Sequence, residues 1–180
     1  MTAFESAWDL VKMPIVPHSL IESEGDEWQQ RYKQWAKHNA IPLENLFDFT
    51  HYSALFDDPK TGERLPMEAI VQPVDRGRQD NEQINALILE ENRPLKYNRA
   101  DAAFRKPTNE SFFEPTMVGT DSDYRRRGYM TAIYDMVASI LDRRGETLEP
   151  SDFQTQDAKN LWRSKTKKYG PSSWLVRDDL

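Results

Sequence analysis

Residues 111–145 limit the fold of this chain more than any other segment. Residues 111–120 have the apolar pattern of a β-strand. From Tyr129 onward apolar residues recur every three or four positions, which is typical of an amphipathic helix. The loop between them carries three consecutive arginines and Gly128. A helix that begins directly after such a loop exposes backbone N–H groups at its positive pole, and these form an anion site.

Phosphate, and diphosphate above all, is the ligand that we expect at this loop. Backbone N–H groups can cradle its oxygens, while arginine adds charge and forked donors. A plainer interpretation stays open, in which the arginines at 125–127 are solvated and pair with Asp121 and Asp123. A nucleic-acid-binding module is a further alternative. The net charge of −6 disfavours it, because such modules carry a basic excess.

Composition excludes several other classes. The chain has no cysteine, which removes disulfide scaffolds, thiolate zinc sites and cysteine nucleophiles. Its three histidines all lie in the N-terminal third, so we expect no metal site. No apolar run approaches the roughly 18–20 residues of a membrane span. The first residues also lack the pattern of a secretory signal. We therefore expect a cytoplasmic protein with no membrane partner.

The remaining pattern predicts a single α/β (α+β) domain over residues 1–180, because neither an internal repeat nor a glycine/serine linker divides it. In the strand at 111–120, Phe112 and Val118 are predicted on one face, with Phe113 and Met117 on the other. Residues 98–110 are ambiguous. The other predicted elements are helices at 2–13, 25–39 and 156–167, a hairpin of 52–57 and 64–74, a strand at 84–89, an extended piece at 147–151 and a strand at 173–176.

The loop sequence is more specific than its charge. From Arg125 to Met130 it reads Arg-Arg-Arg-Gly-Tyr-Met, preceded by Asp123-Tyr124 and followed by small and aliphatic helix residues. This resembles the acyl-CoA signature of the GNAT N-acetyltransferase superfamily, Gln/Arg-x-x-Gly-x-Gly/Ala, which follows a strand and opens a helix. Met130 stands where the family usually has glycine or alanine.

A second motif supports the resemblance. The family often has Asn-x-x-Ala-x-x-Leu-Tyr on a later helix, and residues 155–162 match it at Ala158 and Leu161. Thr155 replaces the asparagine and Trp162 replaces the tyrosine. In the family that tyrosine commonly protonates the departing CoA thiolate, which an indole N–H cannot do. Tyr169 and Ser164 are the nearby candidates for that proton.

The resemblance implies a central mixed, mostly antiparallel sheet flanked by helices. Residues 1–44 would form an N-terminal helical extension and residues 112–170 an acyl-CoA-binding core. It also implies transfer of an acetyl group from acetyl-CoA to the primary amine of an unidentified acceptor, with Glu114 as general base and Tyr169 as the other catalytic candidate. The expected acetyl-CoA-binding residues are Val118, Thr120, Arg125, Arg126, Arg127, Gly128, Tyr129, Met130, Thr131 and Thr155.

Alternatives remain for each part of this interpretation. Glu114 is also consistent with an exposed carboxylate at a strand edge. Met130 and Trp162 also fit a GNAT-like domain that has lost its chemistry and acts as a protein-binding or inhibitory factor. A structural protein in which both motifs are coincidental is a third account. The chain as a whole resembles the small, divergent acetyltransferase-like proteins of phage and prophage genomes. A homodimer is also possible.

Overall fold

The computed structural model of the chain describes residues 20–23, 33, 37, 49–73, 82–90, 98–152 and 154–169, the side chains of 23, 73 and 165–169 excepted. Residues 33 and 37 are helical, and the rest of the helix predicted at 25–39 lies outside the described residues. So do the helix predicted at 2–13 and the strand predicted at 173–176.

Among the described residues, seven strands form one sheet in the order of the sequence. Neighbours are antiparallel from β1 to β6, whereas β7 is parallel to β6. A mostly antiparallel sheet with helices agrees with the predicted α/β (α+β) class. The strands are β1 (Ile21–Ser23), β2 (Thr50–Asp57), β3 (Arg64–Pro73), β4 (Glu82–Leu89), β5 (Asn98–Arg105), β6 (Phe112–Thr120) and β7 (Thr147–Leu148). Apart from the helical residues 33 and 37, the described residues form helices α1 (Tyr129–Arg144) and α2 (Gln156–Tyr169), with a 3-10 turn at Ser122–Tyr124.

Helix α1 covers one face of the sheet, which we call the inner face. Phe104 of β5 meets Tyr134 of α1 edge-to-face, with ring centroids 5.2 Å apart, and Phe56 of β2 meets Tyr129 at 4.7 Å. Helix α2 adds Trp162 to the same core, 5.5 Å from the Tyr134 ring. Alternate residues of β2 to β5 face this core, so their neighbours in sequence lie on the opposite, outer face.

The strand at 111–120 is confirmed as β6, but the predicted faces are wrong. Ala103 pairs with Met117, whereas the next residue of β5, Phe104, pairs with Pro115. Thr116 is therefore an extra residue, and its hydroxyl donates to the Ala103 carbonyl at 3.2 Å. Such a β-bulge interrupts the two-residue period. It places Phe113 and Val118 on the inner face, and Met117 on the outer one.

Strand β7 covers only the first part of β6. It pairs with β6 at Phe112 and Phe113, and the Glu149 N–H then donates to the Phe113 carbonyl at 2.8 Å. From residue 114 to residue 120, β6 pairs with β5 alone among the residues that the structure describes. We call this stretch the open edge of β6. Its outward N–H and C=O groups can pair with an extended ligand.

Candidate functional site

The loop between β6 and α1 has a defined backbone. The Asp121 side chain caps the 3-10 turn by accepting from the Asp123 N–H at 3.1 Å. The Asp121 N–H itself donates to the Arg99 carbonyl at 3.1 Å, which ties the loop to β5. Arg126 and Gly128 take the left-handed conformation, with φ of 61° and 81°. These two positions turn the chain from the strand into the helix.

Gly128 is the N-cap of α1 and offers no side chain to the helix start. The Ala132 N–H closes onto the Gly128 carbonyl at 2.9 Å. The N–H groups before it in the first turn, at Tyr129, Met130 and Thr131, have no intrahelical acceptor. The positive end of the helix dipole thus lies beside a loop with three arginines, as the sequence predicts for an anion site.

The three arginines of the loop have different surroundings. Arg127 turns inward, with Nη1 3.4 Å from Asp58 Oδ2 and its guanidinium over the Tyr124 ring at 5.2 Å. Arg125 and Arg126 are exposed, and Arg125 Nε donates to the Thr120 carbonyl at 3.3 Å. The acidic partner of Arg127 is therefore Asp58 of the distant β2–β3 turn, rather than an acidic residue of the loop. Arg125 and Arg126 remain on the surface.

Asp58 lies fully buried beneath the loop. It accepts from the Tyr129 hydroxyl at 2.5 Å, from the Lys60 N–H at 2.8 Å and from Arg127. Burial by itself would raise the pKa of Asp58, but these hydrogen bonds outweigh it and hold the pKa below its ordinary value. Burial, helped by the bond to Asp58, raises the pKa of Tyr129 to about 12. The phenol therefore remains a neutral donor.

Arg99 of β5 connects this cluster to the rest of the sheet. It forms a two-pronged ion pair with Glu63 at 2.8 and 3.0 Å and donates to the Tyr129 hydroxyl at 3.2 Å. Its guanidinium lies over the Tyr124 ring at 4.7 Å, so Arg99 and Arg127 both contact Tyr124. This cluster fixes the loop to the sheet. We call it the anchor network: Asp58, Glu63, Arg99, Tyr124, Arg127 and Tyr129.

Sequence reasoning missed the anchor network except for its members in the loop and helix start. Asp58 and Glu63 have the composition of an ordinary turn, and Arg99 lies in a segment whose structure was ambiguous. The bond between Asp58 and Tyr129 spans 71 positions. No local pattern reports such a pairing.

The open edge of β6 carries exposed apolar side chains. Met117 is 57% and Val118 is 48% exposed, on opposite faces of the strand. Gly119 and Thr120, which lead into the loop, are partly buried. The edge thus offers backbone hydrogen-bonding groups next to apolar surface, and it ends at the start of α1.

The other predicted site residues are placed as follows. Glu114 lies on β6, and its Oε1 is 3.6 Å from Nη2 of Arg105 on β5, so the two side chains form an ion pair. The Thr155 hydroxyl accepts from the Ala158 N–H at 3.2 Å and caps the start of α2. Met130 and Thr131 are partly buried in the first turn of α1. Tyr169 is the last residue of α2, and its side chain lies outside the described part.

The described residues contain no cluster of three or more histidine, cysteine, aspartate or glutamate side chains that could hold a metal ion. Neither α1 nor α2 is long and apolar enough to cross a membrane.

Comparison with known proteins gives no relative. No family model, no curated protein and no solved structure matches the chain.

Proposed function

We propose that the chain is an acyl-CoA-dependent N-acetyltransferase that transfers an acetyl group from acetyl-CoA to the primary amine of an acceptor. One observation carries this proposal. Within the described residues, the strand that leads into the arginine loop pairs with β5 alone from residue 114 to residue 120, so the loop and this free strand edge adjoin each other. Acetyl-CoA has the matching order of parts: a diphosphate, an extended diamide arm and a thioester.

The diphosphate would lie at the start of α1, held by first-turn N–H groups and by Arg125 and Arg126. The diamide arm would pair with the backbone along residues 114–120. This stretch spans about 20 Å at about 3.4 Å per residue. Met117 and Val118 would cover the methylene groups of the arm. The thioester would then lie beside β6, where a backbone N–H can stabilise the oxyanion that forms during acyl transfer.

The direct test is acetyl-CoA binding by calorimetry. We expect saturable binding to the wild type and at least tenfold weaker binding to the Arg125→Ala/Arg126→Ala variant, because charge-assisted contacts to the diphosphate are lost. The matched control is Arg105→Ala, which removes an exposed arginine from β5 and is expected to bind like the wild type. Absence of wild-type binding at millimolar acetyl-CoA would overturn the proposal.

A pair of glycine variants separates backbone strain from ligand binding. Gly128 and Gly145 both have left-handed φ, 81° and 70°, and a β-carbon on either would meet no atom within 4 Å. We expect Gly128→Ala and Gly145→Ala each to lower the free energy of unfolding by about 1–2 kcal/mol. Only Gly128→Ala should weaken acetyl-CoA binding, since Gly145 ends α1 at its far end. Equal binding by both variants would contradict the placement of the diphosphate.

A second candidate is a GNAT-like domain that only binds a partner. The exposure of Met117 and Val118 on the open edge favours it, because an extended peptide can add to such an edge as a further strand. The same calorimetry distinguishes the two functions. Binding of acetyl-CoA that depends on Arg125 and Arg126 favours the enzyme, whereas its absence favours the binding domain.

A further inference from the structure

An acidic residue of β5 lies directly over a glycine of β6. Asp101 and Gly119 are paired in register, and a β-carbon on Gly119 would lie only 3.0 Å from Asp101 Oδ1. The carboxylate therefore leans across the strand that forms the open edge. Glycine at position 119 leaves the room that this side chain occupies.

Asp101 is on the outer face of the sheet. Its neighbours Ala100 and Ala102 belong to the core beneath α1, so the side chain between them points the other way. Across the sheet it is flanked by Leu87 of β4 and Gly119 of β6, neither of which is charged. The other ionisable groups that the register places on this face are His51 and Asp57 of β2, Arg64 and Glu68 of β3, Arg105 of β5 and Glu114 of β6.

Among the described residues, no side chain neutralises the charge of the Asp101 carboxylate. In the described part of the chain it has neither an ion pair nor a hydrogen bond, and burial alone raises its pKa. Glu114, on the same face, has Arg105 as its partner. A partly buried carboxylate without a cation costs stability, unlike the ion-paired Glu114. Such a group suits a cationic ligand.

We infer that Asp101 receives the ammonium group of the acceptor on the outer face and takes its proton. This role rests on the proposed acetyl transfer. Asp101 lies on β5, the strand directly next to β6, and adjacent strands lie about 4.8 Å apart. The open edge of β6 is therefore only one strand away from Asp101. An amine held over Gly119 is therefore next to a thioester held along that edge.

The proton and electron pairs balance in this arrangement. The ammonium group gives one proton to Asp101, and the freed nitrogen lone pair forms a bond to the thioester carbon. The carbon–sulfur bond breaks, and its electron pair leaves on the thiolate. The second proton of the nitrogen passes to that thiolate, giving an amide and a free thiol. Asp101 then returns its proton to water, so each turnover releases one proton.

The test measures an amine probe and acetyl-CoA on the same full-length samples. The probe is n-butylamine, with n-butanol as its uncharged counterpart, followed by the NMR shifts of the Asp101 and Gly119 amides. We expect saturable shifts with butylamine alone, weakened at least tenfold in Asp101→Asn and unchanged in the control Glu110→Gln, an exposed loop carboxylate. Acetyl-CoA binding should be equal in all three proteins.

The outcomes separate the two proposals. Wild-type protein that fails to bind acetyl-CoA overturns the acetyltransferase function and the proton-acceptor role with it. A second result would overturn the role of Asp101 alone. In it, acetyl-CoA still binds, but butylamine binds equally to wild type and Asp101→Asn, or binds to neither. Gly119→Ala provides a second variant, because its β-carbon displaces the carboxylate, and it should also weaken butylamine binding.

Thermal unfolding distinguishes this role from a structural one. Because its pKa is raised, Asp101 contributes stability at low pH that is lost as the pH rises above the unfolded-state value of about 3.9. Asp101→Asn removes that loss, and we expect its Tm at pH 7 to exceed the wild-type value by about 2–4 °C. A Tm that falls instead would show that the fold holds the carboxylate, and this would overturn the inference.

Discussion

Replacing Trp162 by alanine is expected to lower the free energy of unfolding by about 3–5 kcal/mol. The side chain is fully buried, and its ring meets Tyr134 edge-to-face at 5.5 Å with an interplanar angle of 77°. Removing it leaves a cavity between α2 and α1. Urea unfolding followed by circular dichroism measures the loss. Trp162→Phe is the matched control, and it should lose less because an aromatic ring still contacts Tyr134.

The burial of Trp162 also bears on the chemistry. In the resemblance to the GNAT superfamily, Trp162 stands in the place of a tyrosine that commonly protonates the CoA thiolate. At 0% exposure, however, the side chain contacts the core. We therefore expect Trp162→Tyr to leave the rate of the proposed acetyl transfer unchanged. A rate that rises in this variant would show that the side chain at 162 reaches the thiolate, contrary to its packing.

Replacing Asp58 by alanine is expected to have a stability effect of similar size, about 3–5 kcal/mol. The change leaves the Tyr129 hydroxyl, the Lys60 N–H and the Arg127 guanidinium without their buried acceptor. Asp57→Ala is the matched control next to it. Its carboxylate is 65% exposed and pairs with Arg64 at the surface, so we expect a much smaller loss. Equal losses in the two variants would contradict the anchor network.

The pH dependence of unfolding provides a second measurement on Asp58. Its lowered pKa means that its stabilisation is fully present above the unfolded-state value of about 3.9, and is lost as the pH falls through the folded-state value. Asp58→Asn cannot titrate, so its stability should fall less than that of the wild type between neutral pH and pH 3. Parallel curves for the two proteins would argue against a charged Asp58 in the fold.

Local pattern was sufficient for much of the fold. The apolar spacing after Tyr129 and the terminal Gly145 determine α1, and Gly145 takes the left-handed conformation that closes it. The turn composition at 57–63 places the β2–β3 hairpin, where Gly62 again has positive φ. In these segments one face must be buried and one element must end, so the sequence period and the turn residues carry the information.

Other elements depended on pairing partners. Residues 98–105 contain three alanines, which have low strand propensity, and they form β5 because β4 and β6 pair with them on both sides. The bulge at Thr116 likewise exists only relative to β5. A pairing between strands has no signature within either strand, so the predicted faces of β6 were wrong.

The sequence by itself determined the loop, its charge and the helix that follows, because these are contiguous residues. Only the tertiary structure decided that Arg127 turns inward to Asp58 while Arg125 and Arg126 stay on the surface. It also decided that Asp101 lies over Gly119. Each of these facts depends on desolvation and on contacts between residues brought together by the sheet, and these forces act on distance in space rather than along the chain.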